Sequence, residues 1–331
     1  MADTPLIETV DLRKVFSVKE KAFTTKRSEL VAVDRVSLKI GANETLGLVG
    51  ESGCGKSTLG RAILMLNPAT SGEVRYEGRV VTKKDKEGFR EFRKNAQLIF
   101  QDPYASLNPK QTLLASVRAP LDVHKIGTPA QRTEAAQELL SIVGLGPQQA
   151  EKYPHELSGG QRQRAVIARA MILNPKFIVC DEPVSALDVS IRSQVLNLMK
   201  SLQQSRNISY LFISHDLSVV RYLCTKVAVM YLGRIVEYGT KEEIFESPLH
   251  PYTKALMSAI PIPDVDVKSS RIILQGDVPS PIHPPEGCHF HTRCPYADDE
   301  CAHTSPTLEN VGGQHCVACL KARQFQAEQG K

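Results

Sequence analysis

Gly50-Glu51-Ser52-Gly53-Cys54-Gly55-Lys56-Ser57 carries the strongest chemical signal in the 331-residue chain. Its glycines let backbone N–H groups turn inward around phosphate oxygens, and a helix starting here adds its positive N-terminal end. Lys56 supplies a mobile cation, the Ser57 hydroxyl can ligate Mg²⁺, and Ser52, Cys54 and Thr58 complete a phosphate-cradling loop. That is the chemistry of a triphosphate grip. A second set of polar residues follows: Asp181 and Glu182 close the apolar run Phe177–Cys180. At the C-terminal end of a parallel strand Asp181 can reach Mg²⁺, while Glu182 can polarise a water towards a γ-phosphate. A third motif, Leu157-Ser158-Gly159-Gly160-Gln161, precedes helical spacing over Arg162 to Leu173 and makes a second glycine-rich helix start able to hold anions. One chain thus offers two phosphate grips.

The elements that must position these residues are legible in the hydrophobic pattern. Val31 to Ile40 alternates as a strand, Gly41-Ala42-Asn43 makes a turn, and Thr45 to Val49 is a short buried strand leading straight into the phosphate loop. Thr58 to Leu66 has helical spacing, stopped by Asn67-Pro68. Pro129 to Val143 reads as a helix with Ala135, Leu139, Ile142 and Val143 on one face, set away from any strand as a helical insertion. Phe177 to Cys180 and Tyr210 to Ile213 are continuous apolar runs suited to strands buried on both faces. Between them Ile191, Val195, Leu198 and Leu202 mark an amphipathic helix, and strand, helix, strand implies a parallel sheet. Pro261 to Gly287 holds six prolines and little periodicity, which predicts a boundary.

The three motifs, in this order, resemble the ATP-binding subunits of ABC transporters, in which Leu-Ser-Gly-Gly-Gln is the signature. The resemblance covers Leu12 to about Ser258. It implies an α/β fold of ABC-type P-loop ATPase: a RecA-like parallel sheet core, an antiparallel β subdomain and a helical signature subdomain. By the same resemblance Gln101 is the glutamine that touches Mg²⁺ and relays to the membrane domains. Ser185-Ala186-Leu187-Asp188 matches the D-loop, His215 is the switch histidine that contacts the γ-phosphate, and Phe16 stacks on adenine. The tail, with His250-Pro251-Tyr252-Thr253-Lys254-Ala255-Leu256, Gly276 to Pro281, Gly287-Cys288-His289-Phe290 and Arg293-Cys294-Pro295, is similar to the C-terminal extension of dipeptide/oligopeptide importer ATPases. Nickel importers belong to the same group. The expected division is an ATP-binding domain over 6–258, its helical subdomain about 102–170, a Pro-rich linker over 259–287 and a small Cys-rich extension over 288–331.

The resemblance further implies a head-to-tail pair of ATPase subunits, the second a paralogue, with ATP held between the P-loop of one and the signature of the other. Two transmembrane permease subunits would dock on the helical insertion, and an extracytoplasmic peptide-binding protein would deliver substrate to them. The expected location is peripheral, on the cytoplasmic face of the inner (plasma) membrane. Composition agrees: Met1 to Val10 carries two acids and a proline where a signal peptide would be basic then apolar, and the longest apolar run, Val227 to Leu232, is far short of a bilayer span. A net charge of +5 with no dense basic block argues against nucleic acid as a partner. The short, proline-interrupted stretch between Lys56 and Ser158 has no room for the long coiled coils of DNA-repair ABC ATPases, and one P-loop with one signature does not fit the two-unit ribosome-associated type.

Five of the eight cysteines crowd into the last 44 residues, which in a reducing compartment points to metal ligation before disulfides. Cys288, Cys294, Cys301 and Cys319, spaced C-x5-C-x6-C-x17-C, are the expected ligands of a [4Fe–4S] cluster. The resembled extension carries cysteines in this pattern and leaves Cys316 as the spare. Zinc is the rival, since Cys316-x2-Cys319 has zinc-like spacing and His289, His291, His303 and His315 lie near in sequence. Spacing alone does not choose between the two metals.

Overall fold

A computed structural model describes residues 4–19, 27–260 and 271–329. The chain divides into two compact units. One holds Ile40–Glu44 and Tyr76–Phe212 with the segment ending at Leu6; the other holds Ile7–Lys39, Thr45–Arg75 and the chain from Ile213 onward. Part of the proline-rich stretch expected to be a linker, 261–270, lies outside the described residues.

In the first unit the strands Ala96–Ile99, Phe177–Asp181 and Ser209–Ile213 lie side by side in that order. Every residue of the latter two is buried, as their unbroken apolar runs require. Ala96–Ile99 and Phe177–Asp181 run parallel, with Ile99 opposite Cys180. The helix Gly159–Met171 starts one turn before the expected Arg162 because Ser158 caps it. Pro129–Ile142 is helical as predicted, entered through a Thr128/Gln131 capping box with Pro129 in its first turn. Its buried face differs from the expected one: Ala136, Leu139, Leu140 and Val143 are buried, while Ile142 is 44% exposed. The helix packs against both Leu113–His124 and Gly159–Met171, and two neighbours widen the covered stripe beyond what a single seam needs. The helix Val189–Arg206 likewise buries Val195, Leu196, Met199 and Leu202 and leaves Ile191 and Leu198 half-buried. Asn207 ends it in the left-handed region, φ 53°.

The second unit is built on a mixed sheet, ordered Glu309–Gly312, His315–Val317, Arg234–Thr240, Lys226–Tyr231 and Thr45–Val49. Thr45–Val49 and Lys226–Tyr231 pair in parallel, and the remaining neighbours pair antiparallel. Lys226–Tyr231 and Arg234–Thr240 form a hairpin whose two loop residues, Leu232 at φ 41° and Gly233 at φ 80°, supply the positive φ that a tight turn needs. The last strands therefore place part of the cysteine-bearing tail on this sheet: Cys316 lies opposite Tyr238. A second sheet orders Arg27–Ile40, Ile7–Lys19 and Ser71–Tyr76. The helix after the phosphate loop runs Lys56–Ile63, ending sooner than the Asn67-Pro68 stop predicts because the chain turns left-handed at Met65, φ 55°. No helix among the described residues is long and apolar enough to cross a membrane.

Candidate nucleotide-binding site

The phosphate loop sits where its sequence demands, between the fully buried strand Thr45–Val49 and the helix Lys56–Ile63. Two of its glycines are irreplaceable on steric grounds. A Cβ on Gly50 would stand 2.2 Å from the Met230 carbonyl oxygen, and one on Gly55, at φ +108°, would stand 2.1 Å from that of Ala32. The loop is closed around the Lys56 ammonium, which donates to the carbonyl oxygens of Gly50 at 2.7 Å and Glu51 at 2.9 Å. Lys56 is only 6% exposed, and its charge is satisfied by backbone dipoles of the loop it serves. Burial pushes the Cys54 thiol up from its ordinary pKa, with nearby Lys56 opposing the rise. Ser52 and Gly53 are exposed on the loop; Ser57 and Thr58 are half-buried in the first helical turn.

Phe16 lies half-buried in the strand Ile7–Lys19, with the Lys14 ammonium 5.0 Å from its ring centroid, so one aromatic face is already engaged by a cation. His215 is exposed just beyond the Ser209–Ile213 strand. Its neighbours fix it: the Ser214 N–H donates to the Leu48 carbonyl of the strand that feeds the phosphate loop, 3.3 Å, and Asp216 caps the helix Leu217–Leu223 through the N–H groups of Ser218 and Val219. These residues all belong to the second unit.

The first unit holds the other half of the expected set. Register explains how it is assembled: with Ile99 opposite Cys180 on parallel strands, Gln101 and Glu182 each stand two residues further on. The Gln101 amide Nε2 accordingly donates to Glu182 Oε2 at 3.0 Å. Asp181 is 1% exposed at the strand end, and Glu182 turns sharply away at φ 47°, a costly conformation for a non-glycine residue. Ser185, in the D-loop segment, clamps this turn by donating through its hydroxyl to the Glu182 carbonyl, 3.1 Å. In the signature segment Ser158 and Gln161 cap each other reciprocally: the Gln161 N–H donates to Ser158 Oγ at 3.3 Å and the Ser158 N–H to Gln161 Oε1 at 3.0 Å. Gly160 is required by packing, since a Cβ there would meet Ile191 Cγ2 at 2.5 Å.

Two residues of this architecture escape sequence reasoning. The Tyr252 hydroxyl accepts the Glu51 N–H at 2.8 Å, and the buried carboxylate of Glu237 accepts the N–H groups of Leu249 at 2.7 Å and His250 at 3.0 Å. Tyr252 figures in the sequence only as one residue of the His250–Leu256 tail segment, and Glu237 only as an acid in an apolar strand. In the tail, Cys288, Cys294, Cys301 and Cys319 line one small cavity of about 20 Å³, together with Phe290, Tyr296 and Phe325. Burial, reinforced by the neighbouring thiols, pushes Cys319 up to about 11. Cys316 lies elsewhere, on the His315–Val317 strand, its sulfur 3.9 Å from the Asn310 amide. Three of the four histidines have partners: His289 donates to the Leu232 carbonyl, His315 to Glu237, and His291, which also lines the cysteine cavity, to the Cys288 carbonyl. Among the described residues no group of three or more His, Cys, Asp or Glu side chains is drawn together to hold a metal ion as it stands.

The ABC transporter family profile matches residues 33–185, and the profile described as the oligopeptide/dipeptide transporter C-terminal region matches residues 236–301. The chain is 49% identical to the oligopeptide transport ATP-binding protein AppF of Bacillus subtilis (strain 168), over 95% of this chain and 96% of that protein. It is 51% identical to the oligopeptide transport ATP-binding protein OppF of Salmonella typhimurium (strain LT2), over 96% of each. Among solved structures it is similar to a dimeric, post-hydrolysis state of the ATP-binding cassette MJ0796 bound to ADP and Pi, with a TM-score of 0.63 and 28% identity over 71% of this chain and 98% of that one. The fold is that of an ABC ATPase. The chain belongs to the ABC transporter ATP-binding proteins, in the branch that carries the oligopeptide/dipeptide C-terminal region, and it is an ATPase.

Proposed function

We propose that this chain is the ATP-hydrolysing subunit that powers import of di- or oligopeptides through an ABC transporter. The observation that carries this reading is similarity along nearly the whole chain, tail included, to oligopeptide ATP-binding proteins. Gly50 to Thr58 grip the phosphates, with Lys56 as their cation; Ser57, Asp181 and Gln101 hold Mg²⁺; Phe16 stacks on the base. Glu182 polarises the attacking water, and its 3.0 Å hydrogen bond to Gln101 supports a role for Gln101 in aiming that carboxylate as well as in touching the metal. His215 contacts the γ-phosphate. Ser158, Gly159, Gly160 and Gln161 present their helix start to the ATP of a second ATPase subunit, a paralogue, so that nucleotide binding closes the pair and hydrolysis opens it. The helical insertion, about 102–170 within an ATP-binding domain over 6–258, receives two permease subunits at the cytoplasmic face of the plasma membrane. An extracytoplasmic peptide-binding protein supplies the substrate.

The extension over 288–331, beyond a linker over 259–287, holds a [4Fe–4S] cluster through Cys288, Cys294, Cys301 and Cys319. The donor set supports the group: four thiols line a single cavity from which Cys316 is excluded, and His289 and His315 are engaged elsewhere. Bound there, the cluster would act as a cross-link ordering a short, apolar-poor segment. Holding it requires the four thiols to ionise and draw inward.

Reconstitution with co-expressed permeases in liposomes tests the transport reading. Peptide-loaded binding protein should stimulate ATP hydrolysis at least several-fold; stimulation by Ni²⁺-loaded binding protein alone would replace peptide with metal as the cargo. Iron, acid-labile sulfide and zinc analysis after anaerobic purification tests the cluster, which stoichiometric zinc without sulfide would refute.

A further inference from the structure

One residue of the phosphate loop is held from the tail. The Arg293 guanidinium grips the Glu51 carboxylate with both of its terminal nitrogens, Nη1 to Oε2 at 2.9 Å and Nη2 to Oε1 at 3.2 Å, across 242 residues of sequence. Arg293 is 8% exposed and Glu51 27%, so this is a partly desolvated, bidentate pair and not a surface contact. Arg293 is itself rigidly mounted. It ends the short turn His291–Arg293, its N–H donates to the Phe290 carbonyl at 3.0 Å, and its guanidinium lies 6.0 Å from the Tyr231 ring centroid. Phe290 is 1% exposed and packs edge-on against Tyr231, ring centroids 5.2 Å apart, and against Tyr252 at 5.5 Å.

Glu51 is therefore fixed at three points. Its side chain is held by Arg293, its N–H by the Tyr252 hydroxyl at 2.8 Å, and its carbonyl accepts from the Lys56 ammonium at 2.9 Å. A carboxylate within a loop built to surround phosphates is electrostatically misplaced unless a cation neutralises it and turns it aside. The loop's own Lys56 is directed to backbone carbonyls, and Arg293 supplies that cation.

We propose that Arg293 is a positioning residue for the phosphate loop: it neutralises Glu51 and locks it outward, so that the order of the C-terminal extension sets the affinity for Mg–ATP. The inference rests on the loop being the nucleotide site, and it predicts a specific dependence. With Arg293 gone, the unpaired carboxylate should repel the incoming phosphates, whereas with Gln at position 51 the loss of Arg293 should matter little.

The test is a double-mutant cycle on the full-length chain, following Mg²⁺ with a fluorescent N-methylanthraniloyl ATP at equilibrium and KM and kcat for ATP. Arg293→Ala should weaken binding about tenfold, an effect seen in KM more than in kcat, while Arg293→Ala in a Glu51→Gln background should cost less than about twofold. A merely structural arginine, valued for packing on Tyr231, would impose the same penalty in both backgrounds, and that result overturns the proposal. So does a penalty under about twofold in the parent. If Arg293→Ala does not fold, Arg293→Lys replaces it: the single-point ammonium loses the fork and should cost about threefold, again only while position 51 is acidic. Equal cost in both backgrounds overturns the proposal there too. A parent chain that binds no nucleotide would instead overturn the phosphate-loop reading.

Discussion

Replacing Glu237 should strip three donors on two segments of their acceptor at once. Its carboxylate is 0% exposed on the strand Arg234–Thr240, and it accepts the Leu249 N–H at 2.7 Å, the His250 N–H at 3.0 Å and His315 Nε2–H at 2.7 Å. Glu237→Ala leaves two buried backbone donors and one imidazole donor without an acceptor. At about 1–3 kcal/mol for each unsatisfied group, less the cost of burying the charge that is removed, the net loss is about 4 kcal/mol. For a chain of this size that lowers the melting temperature by roughly 8 °C, at about 2 °C per kcal/mol. Glu237→Gln keeps the shape but turns an amide N–H towards a donor, and should cost about half as much. The chain has no tryptophan, so far-UV circular dichroism is the appropriate probe of the melt. Because Leu249 and His250 lead into the helix Pro251–Ser258, which carries Tyr252 and its bond to the Glu51 N–H, Glu237→Ala should also weaken Mg–ATP binding. A melting temperature within about 2 °C of the parent would show that water or local rearrangement satisfies the three donors, and the reasoning would fail.

Glu182→Gln should lower ATP turnover by about 10²–10⁴-fold while ATP affinity changes by only a few fold, because the amide can keep the contact with Gln101 but loses the acceptor charge; single-turnover hydrolysis within threefold of the parent would refute the base role. Gly55→Ala should abolish nucleotide binding or destabilise the fold by more than about 2 kcal/mol, since the methyl group has nowhere to go against the Ala32 carbonyl; calorimetric ATP binding at parental affinity would contradict this. Burial depresses the His250 pKa to about 4, so the folded chain resists a proton that the unfolded chain accepts below about 6.5; stability is fully present above that value and declines by about 3 kcal/mol as the pH falls towards 4. His250→Asn, which can still accept the Tyr252 N–H as a cap, should remove that slope from urea denaturation measured across the window, and an unchanged slope would assign it to other groups.

Local chemistry in the sequence was enough to place the glycine-rich loop between a strand and a helix. The strand Thr45–Val49 and the turn that follows are specified within a dozen neighbouring residues, although the helix begins at Lys56, ahead of the expected Thr58. The buried strands Phe177–Asp181 and Ser209–Ile213 were equally legible, because a run buried on both faces needs no partner to be recognised. Helix faces were harder. Ile142 is exposed and Leu140 buried because the covered side of Pro129–Ile142 is chosen by the two helices against it, which periodicity alone cannot name. Single polar residues with distant partners were harder still. Glu237 gives no sequence sign that it will be buried under two backbone amides and a histidine 78 residues away.

The pairing of Gln101 with Glu182 shows why this limit has a physical origin. The two residues are 81 apart in sequence, and they meet because parallel strands set Ile99 beside Cys180 and carry both chains forward by the same two steps. A slip of one residue in that register would reverse the pleat and send one side chain to the opposite face. Register is fixed by burial: Leu98 faces Val179 and Ile99 faces Cys180 within an apolar layer, so any slip would expose apolar surface and bury polar groups. The strained turn at Glu182, φ 47°, is then tolerated because the strand before it is buried throughout and the Ser185 hydroxyl and backbone N–H both close onto the Glu182 carbonyl. The energy that aims the proposed catalytic carboxylate is thus supplied by the hydrophobic sheet beneath it. Substitutions that loosen the Ala96–Ile99 and Phe177–Asp181 pair should therefore impair hydrolysis before they unfold the chain.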